Sequence, residues 1–342
     1  MNLKKRKNFV FTLNKGGKTL SLRSAALGGI ITLAIGFNSL PIINPADINE
    51  GILHNNVNYT LQETGEQGAE TTIFTRLARV NYNLPGMPSL SLSAHKKLSV
   101  TRGGVKESYS ALMINGIAYI PLKEAVLSVN PNARVTYNSS TKTSMVTASG
   151  LVISVTHGGY VMYANDRPLF SFSPAVVMND GKMYVSASAL LKALGLSFTK
   201  TESTMRISGS YKPLLHASKF YREDEVYWLS KIISAESAGE SLIGQIAVGD
   251  VIMNRVKSPL FPNTIYSVIF DRKYGVQFSP TLDGRIYQDP TYTATLAAKI
   301  CLEGVSLSDE AMYFLNPRAA QSNWIVNNRP YAYTIGNHDF YR

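Results

Sequence analysis

Two stretches of this chain set the same turn between the same kind of strands, and that repetition limits the folds open to it. Ala111-Leu-Met-Ile-Asn-Gly-Ile-Ala-Tyr-Ile-Pro-Leu places Asn115-Gly116 between apolar runs, and Val176-Val-Met-Asn-Asp-Gly-Lys-Met-Tyr-Val-Ser-Ala does the same with Asp180-Gly181. Such pairs tolerate the positive φ that a two-residue loop demands, so each stretch predicts a β-hairpin. Tyr119-Ile120 matches Tyr184-Val185. A short helical piece follows each hairpin, over residues 123–129 and 187–194. Each copy then runs into a strand pair, 134–137 with 144–147 and 197–199 with 205–208. The region is read as an internal duplication of a strand-turn-strand-helix-strands unit.

The ends of the chain are different. Lys4, Lys5, Arg6, Lys7, Lys15, Lys18 and Arg23 are seven positives with no acid before Asp47. Taking them from the net charge of +11 leaves +4 for the remainder, so the basic character is a targeting feature and a nucleic-acid partner is disfavoured. The apolar run at residues 25–37 follows that basic segment, the order of a secretory or signal-anchor sequence. Phe37-Asn38-Ser39-Leu40-Pro41 is a poor cleavage site, which favours an uncleaved membrane anchor with its basic end inside. Residues 1–43 are therefore read as basic segment and signal or anchor helix. Residues 44–87, polar and without periodicity, are read as a linker. One cysteine, Cys301, excludes an intramolecular disulfide and a cysteine-based metal site.

Helical periods return in residues 211–342, at 221–237, 241–256, 263–270 and 289–303. In the last, Asp289 is expected as N-cap, with Pro290 in the first turn and Gly304 just past the end. Two short strand-like runs follow, around residues 312–315 and 331–335. The first helix carries an anomaly. Val226, Leu229 and Ile233 define one apolar face, and Glu236 falls three residues after Ile233 and seven after Leu229. Gly239 then marks the stop. A carboxylate on a face due for burial is either paired or placed there for chemistry. Asp250, seven residues after Ile243, also points inward and is expected to pair with Arg255 or Lys257.

Ordered motifs decide between these readings. Ala235-Glu236-x-x-Gly239-Glu240 is followed by Gly244-Gln245-x-Ala247-Val248 and Asn254-Arg255-Val256. Next come Ser258-Pro-x-Phe-Pro-x-Thr-Ile-x-x-Val-Ile269, Gln277-Phe278-Ser279-Pro280, Tyr313-Phe-x-Asn316-Pro317 and Ile335-Gly336-Asn337-His338-x-Phe340. This series resembles the SleB/CwlJ-type family of spore-cortex and cell-wall hydrolases. The resemblance implies a mainly α lysozyme-like domain over residues 211–342. It also implies cleavage of peptidoglycan glycan strands as a lytic transglycosylase, with Glu236 in the catalytic position. The duplicated middle, residues 88–210, resembles the copper amine oxidase N-terminal-like domain. His157 has no ligand cluster there, so no copper is expected. Spacing, wall attachment and scaffolding stand as its possible roles. The expected fold class is thus α+β and multidomain.

A carboxylic acid held neutral at working pH can protonate a glycosidic oxygen, and an apolar setting raises its pKa by desolvating the charged form. In a transglycosylase the sugar's own hydroxyl attacks the anomeric carbon, so one Glu serves as acid and then base. Glu240 is open to four readings: holding the loop, binding sugar, tuning Glu236, or simply an acid favoured near a helix N-terminus. Gln245, Gln277, Phe278, Ser279, Tyr313 and Asn316 are the other expected substrate contacts, amides suiting N-acetyl groups and aromatics suiting sugar faces. His338 is read as a structural residue, not a zinc ligand, and Trp324 as a groove wall. Two positions depart from the family pattern: Ala238 where many members carry Arg, and Val276 between Gly275 and Gln277. No metal or cofactor is expected. The expected partners are peptidoglycan strands and, through the N-terminus, a membrane, in an exported protein of the cell envelope. A non-catalytic peptidoglycan-binding protein and a hydrolytic muramidase are the alternatives.

Overall fold

The computed structural model describes residues 95–320 and 322–342 in full and, before them, the backbone of four strands. The chain divides into two compact units, residues 1–72 and 73–342. In the first unit, β1 (Asn8–Lys15), β2 (Lys18–Leu27), β3 (Ile30–Ala34) and β4 (Tyr59–Gln62) form one sheet in the order β3-β2-β1-β4. The expected anchor helix and linker otherwise lie outside the described residues. No helix among the described residues is long and apolar enough to cross a membrane.

The second unit begins with β5 (Lys96–Arg102), β6 (Val105–Ile114) and β7 (Ile117–Pro121), then α1 (Leu122–Val129). There follow β8 (Arg134–Asn138), β9 (Thr143–Ala148), β10 (Leu151–Thr156), β11 (Val161–Ala164) and β12 (Arg167–Phe170). The β-rich half closes with β13 (Val176–Asn179), β14 (Lys182–Ser186), α2 (Ala187–Leu194), β15 (Ser197–Lys200) and β16 (Thr204–Ser208). Both expected hairpins are present. Asn115 and Gly116 have φ of 48° and 79°, and Asp180 and Gly181 have 49° and 71°, the left-handed pair that such a loop requires. The two hairpins lie side by side through their second strands, Tyr184 opposite Pro121 and Ser186 opposite Tyr119.

The duplication then diverges. β15 and β16 join the hairpins by a parallel ladder from β16 to β5, giving the order β13-β14-β7-β6-β5-β16-β15. β8 and β9 instead belong to a separate five-stranded sheet, β12-β11-β10-β9-β8. Equivalent sequence thus feeds two sheets, because each hairpin pairs with whichever edge its neighbours leave free. Leu122, Val126, Leu190, Leu191, Ile153 and Met162 are among the buried residues of the shared core.

The C-terminal half is mainly helical: α3 (Ala217–Phe220), α4 (Glu223–Ser237), α5 (Leu242–Lys257), α6 (Ile265–Ile269), α7 (Pro280–Asp283), a 3-10 turn (Arg285–Tyr287), α8 (Tyr292–Leu302) and α9 (Trp324–Asn328). β17 (Tyr313–Leu315), β18 (Tyr331–Ile335) and β19 (His338–Tyr341) form a small sheet, β17-β19-β18. Its central strand, β19, was not expected from the sequence. Helices α4, α5 and α8 bury Leu229, Ile233, Ile246, Val251, Ala297 and Ile300 against one another. They meet at Gly249, where a Cβ would stand 2.7 Å from Cys301 Sγ and 2.8 Å from Ile233 Cδ1. Only a residue without a side chain lets the helices approach so closely.

Two local expectations are corrected. The N-cap of α8 is Thr291, whose side chain accepts from the Ala294 N–H, and not Asp289. Pro290 precedes the cap, so Asp289 is left outside the helix and near Lys231. Asp250 pairs with neither Arg255 nor Lys257. Its Oδ2 accepts from the Ser306 hydroxyl and from the Leu307 and Ser308 N–H groups, because burial favours the donors that the following loop presents directly.

One carboxylate gathers several of the links between the β-rich and helical halves, beside others such as Asp166 with His216. Glu303, at the end of α8, accepts from Arg167 Nε (2.7 Å) and Nη2 (2.9 Å), Lys192 Nζ (2.8 Å) and the Tyr221 hydroxyl (2.6 Å). The side chains of Arg167 and Glu303 are 4% and 1% exposed. The Phe220 ring covers the Arg167 guanidinium at 3.3 Å, while Tyr160, Val161 and Phe170 pack on the helical core. Removing one partner of a buried pair leaves an uncompensated charge, so Glu303→Ala is expected to cost about 3–5 kcal/mol of unfolding free energy in urea denaturation.

Candidate active site

Glu236 is the penultimate residue of α4 and is half-buried. The helix ends there because Ser237 turns its hydroxyl back to the Ile233 carbonyl at 2.7 Å and Ala238 forms the C-cap. No described residue hydrogen-bonds to the Glu236 carboxyl group. Burial pushes its pKa up to about 7, a rise that the Arg285 charge opposes and the Asp283 charge adds to. The negative end of the α4 dipole acts in the same direction as burial. Glu236 therefore holds a proton near neutrality and has no protein partner to which it is committed.

Arg285 sets the other side of this environment. Its Nη1 donates to the Ala235 carbonyl at 3.0 Å, its Nη2 to Ser279 Oγ at 3.3 Å and its Nε to Asp283 Oδ2 at 2.9 Å. Asp283 Oδ1 accepts from the Arg285 backbone N–H, and this bond first, with the guanidinium second, keeps Asp283 below the usual carboxylate range. Lys231 is buried beneath the same segment, donating to the Tyr287 and Gln288 carbonyls at 3.1 and 2.8 Å. None of Arg285, Asp283 or Lys231 was singled out by sequence reasoning. Asp283-Gly284-Arg285 carries a turn signal that could have drawn attention to the first two, but their link to Ala235 spans some fifty residues of chain.

The remaining expected contacts separate into two groups. Glu240, Gln245 and His338 lie together. Glu240 accepts from Asn337 Nδ2 at 2.9 Å and from the Asn337 N–H at 3.3 Å, and its Oε1 is 3.7 Å from His338 Nδ1. It therefore holds the β18–β19 turn, and it is not among the charges acting on Glu236. Gln245 is buried and donates to the Glu240 carbonyl at 2.9 Å. His338 is packed against Phe314, and burial pushes its pKa down.

Gln277, Tyr313 and Arg255 form the second group. Arg255 donates from Nη1 to Gln277 Oε1 at 3.2 Å and from Nε to the Met312 carbonyl at 2.7 Å. Phe278, expected to stack on sugar, is 3% exposed and its ring packs beside Phe314 within the core. The correction follows from the alternation of the loop, which turns Gln277 and Ser279 outward and Phe278 in. Asn316 is half-buried and accepts from the Arg318 N–H at 3.0 Å, a turn contact. Trp324 is 52% exposed. Residues 277–285 run from Arg255 to the end of α4, so Gln277, Ser279 and Arg285 lie along one segment leading to Glu236.

The β18–β19 turn has its own requirement. Gly336 has φ +60°, and a Cβ there would stand 1.9 Å from Glu240 Oε2. Gly336→Ala is expected to lower the thermal midpoint by several degrees, combining about 1 kcal/mol of backbone strain with displacement of Glu240. Glu240→Ala, measured by the same thermal scan, is expected to destabilise through the freed Asn337 donors.

Comparison with known proteins agrees with the motif series. Residues 239–341 match the family described as Cell Wall Hydrolase, a range that begins just after Glu236, and residues 101–208 match the copper amine oxidase N-terminal domain. Over 120 residues the chain is 38% identical to the spore cortex-lytic enzyme of Bacillus subtilis, taking in 35% of this chain and 38% of that enzyme. The Bacillus cereus spore cortex-lytic enzyme is 38% identical over 120 residues, 45% of its length. The chain thus spans less than half of these relatives. A solved structure, the catalytic domain of the germination-specific lytic transglycosylase SleB from Bacillus anthracis, is 37% identical, with a TM-score of 0.33, covering 36% of this chain and 97% of that one. Residues 239–341 of this chain are thus similar to the cell wall hydrolase family.

Proposed function

We propose that the protein cleaves the MurNAc-GlcNAc glycan strands of peptidoglycan as a lytic transglycosylase, through a lysozyme-like domain in which Glu236 is the general acid and then the base. The observation that carries this is the Glu236 carboxyl group: half-buried, without a hydrogen bond to any described residue, with a pKa of about 7. In the reaction the protonated carboxyl gives its proton to the glycosidic oxygen as the bond from that oxygen to the muramoyl C1 breaks. The resulting carboxylate takes the proton of the C6 hydroxyl as that oxygen bonds to C1, leaving a 1,6-anhydro end. Glu236 returns to its protonated form and no second carboxylate is consumed. Spore cortex or vegetative wall is the substrate, in an exported protein held at the envelope, in keeping with the relatives' names.

One observation favours a hydrolytic muramidase as second reading. Asp283 lies close enough to act on Glu236 electrostatically, and the two environments push their pKa values apart. A pair tuned in this way suits one acid and one ionised partner for water. Against it, Asp283 is engaged by Arg285 through both oxygens.

Digestion of purified cortex peptidoglycan followed by mass spectrometry separates these readings. Anhydro-muramyl ends support the transglycosylase; reducing muramic ends, lost in Asp283→Asn, support hydrolysis. Glu236→Gln is expected to reduce muropeptide release at least about 100-fold. Undiminished release by that variant would refute the assignment, and no release by the wild-type chain would leave a binding protein. Cleavage is expected to fall as pH rises through about 7, because the acid is then ionised.

The same group affects stability. Its folded pKa is raised above the unfolded value near 4.5, so ionising it in the fold is unfavourable. The wild-type chain therefore loses stability as pH rises from about 4.5 through about 7, and Glu236→Gln does not. Thermal unfolding at pH 8 is expected to show the variant more stable, by about 1 kcal/mol after allowance for solvent screening.

A further inference from the structure

Two guanidinium groups in the helical half lie over one aromatic ring, and the Asp271 charge acts on one of them, Arg255, without an ion pair among the described residues. Arg255 and Arg329 both lie over Tyr313, at 5.2 and 4.5 Å from the ring centre. Arg255 is 4% exposed, and Phe261 and Phe278 flank it at 4.9 and 5.2 Å. Its Nη2 makes no hydrogen bond to a described residue. Arg329 is half-buried, stacks also on Trp324 at 5.3 Å, and its Nε is buried without an acceptor among the described residues. Neither arginine belongs to any ion pair among the described residues.

This arrangement costs energy as it stands. Aromatic faces stabilise a nearby cation but accept no N–H well, and a buried unpaired donor carries its full desolvation cost. Burial already pushes the Arg255 pKa down to about 10. An oxyanion accepting from the Arg329 guanidinium would satisfy its buried Nε–H. A planar carboxylate matches the guanidinium fork.

We propose that Arg255 and Arg329, around Tyr313, form a subsite for a free carboxylate of the peptide stem carried by the muramic acid residues of the glycan. The proposal rests on the glycan substrate proposed above. Two features place the carboxylate on the glycan and not on a separate polymer. Gln277, whose Oε1 is fixed by Arg255, starts the segment that leads to Glu236, so an occupant of the subsite lies along the path of the strand being cut. Trp324, at the outer side of Arg329, is exposed and offers a face to the attached sugar. The subsite would select glycan whose stems keep a free carboxylate over glycan that is amidated or stripped of peptide.

The test uses the full chain carrying Glu236→Gln, so that binding is read without turnover. Titration calorimetry compares N-acetylmuramyl-L-alanyl-D-glutamate with its diamide. The free acid is expected to bind at least about tenfold more tightly, and adding Arg329→Gln is expected to abolish that difference. Arg255→Lys, which keeps the charge but loses the fork, is expected to reduce it. Near-ultraviolet circular dichroism shows that each variant is folded. Equal affinity for acid and diamide overturns the proposal, as does an acid preference that survives Arg329→Gln. Tighter binding of a glycerol-phosphate oligomer than of the acid likewise overturns it in favour of a phosphate polymer. Cleavage of peptidoglycan by the wild-type chain, measured alongside, separates the two readings. Cleavage without acid preference removes the subsite alone, whereas acid preference without cleavage removes the transglycosylase and retains the subsite.

Discussion

Glu303 is the point on which the second unit turns. One carboxylate at the end of α8 takes hydrogen bonds from the five-stranded sheet through Arg167, from α2 through Lys192 and from the connecting segment through Tyr221. All of these donors are drawn to it because the carboxylate is almost fully out of water and must be neutralised where it lies. The apolar contacts of Tyr160, Val161 and Phe170 with the helical core are made alongside. The β-rich half is therefore built onto the helical half.

The packing of α8 that Glu303 terminates also supports the candidate site. α8 and α5 close around α4, with Gly249 allowing the approach, and α4 in turn presents Glu236 at its last turn. The loop before α8 then supplies Arg285 to the exposed carbonyl at Ala235, and Lys231 fastens the chain just beyond it. Burial raises the Glu236 pKa, and the guanidinium beside it limits the rise. A carboxylic acid that is protonated near neutrality but still ionisable is what a group serving as acid and then base requires. Ala238 is exposed, and Arg285 provides a positive charge near the acid from another segment.

Much of the fold was legible in short-range pattern. The Asn-Gly and Asp-Gly turns, both helices of the duplicated unit and the strand pairs after them occur where the spacing placed them, since turn conformation and alternation are local properties. α4, α5 and α8 were visible from their apolar period, and β19 was missed although it forms a tight hairpin with β18, because its four residues, His338 to Tyr341, show no alternation of apolar and polar side chains. The cap of α8 was misplaced by two residues because Asp289 and Thr291 are equally good caps, and only the path of the chain around Lys231 separates them.

For the site, the sequence by itself determined that Glu236 stands on a face due for burial, and its motifs named the family. Which of the surrounding residues act on it was decided by tertiary structure. Glu240, four residues away, turns to Asn337, while Arg285, far along the chain, reaches Ala235. Phe278 went inward and Arg255 outlived its expected pairing with Asp250, whose oxygen is taken by the loop at residues 306–308. The physical reason is common to all of these. A buried polar group is satisfied by whichever donor or acceptor the fold brings within hydrogen-bond reach, and that distance is set by packing between segments that no local pattern records.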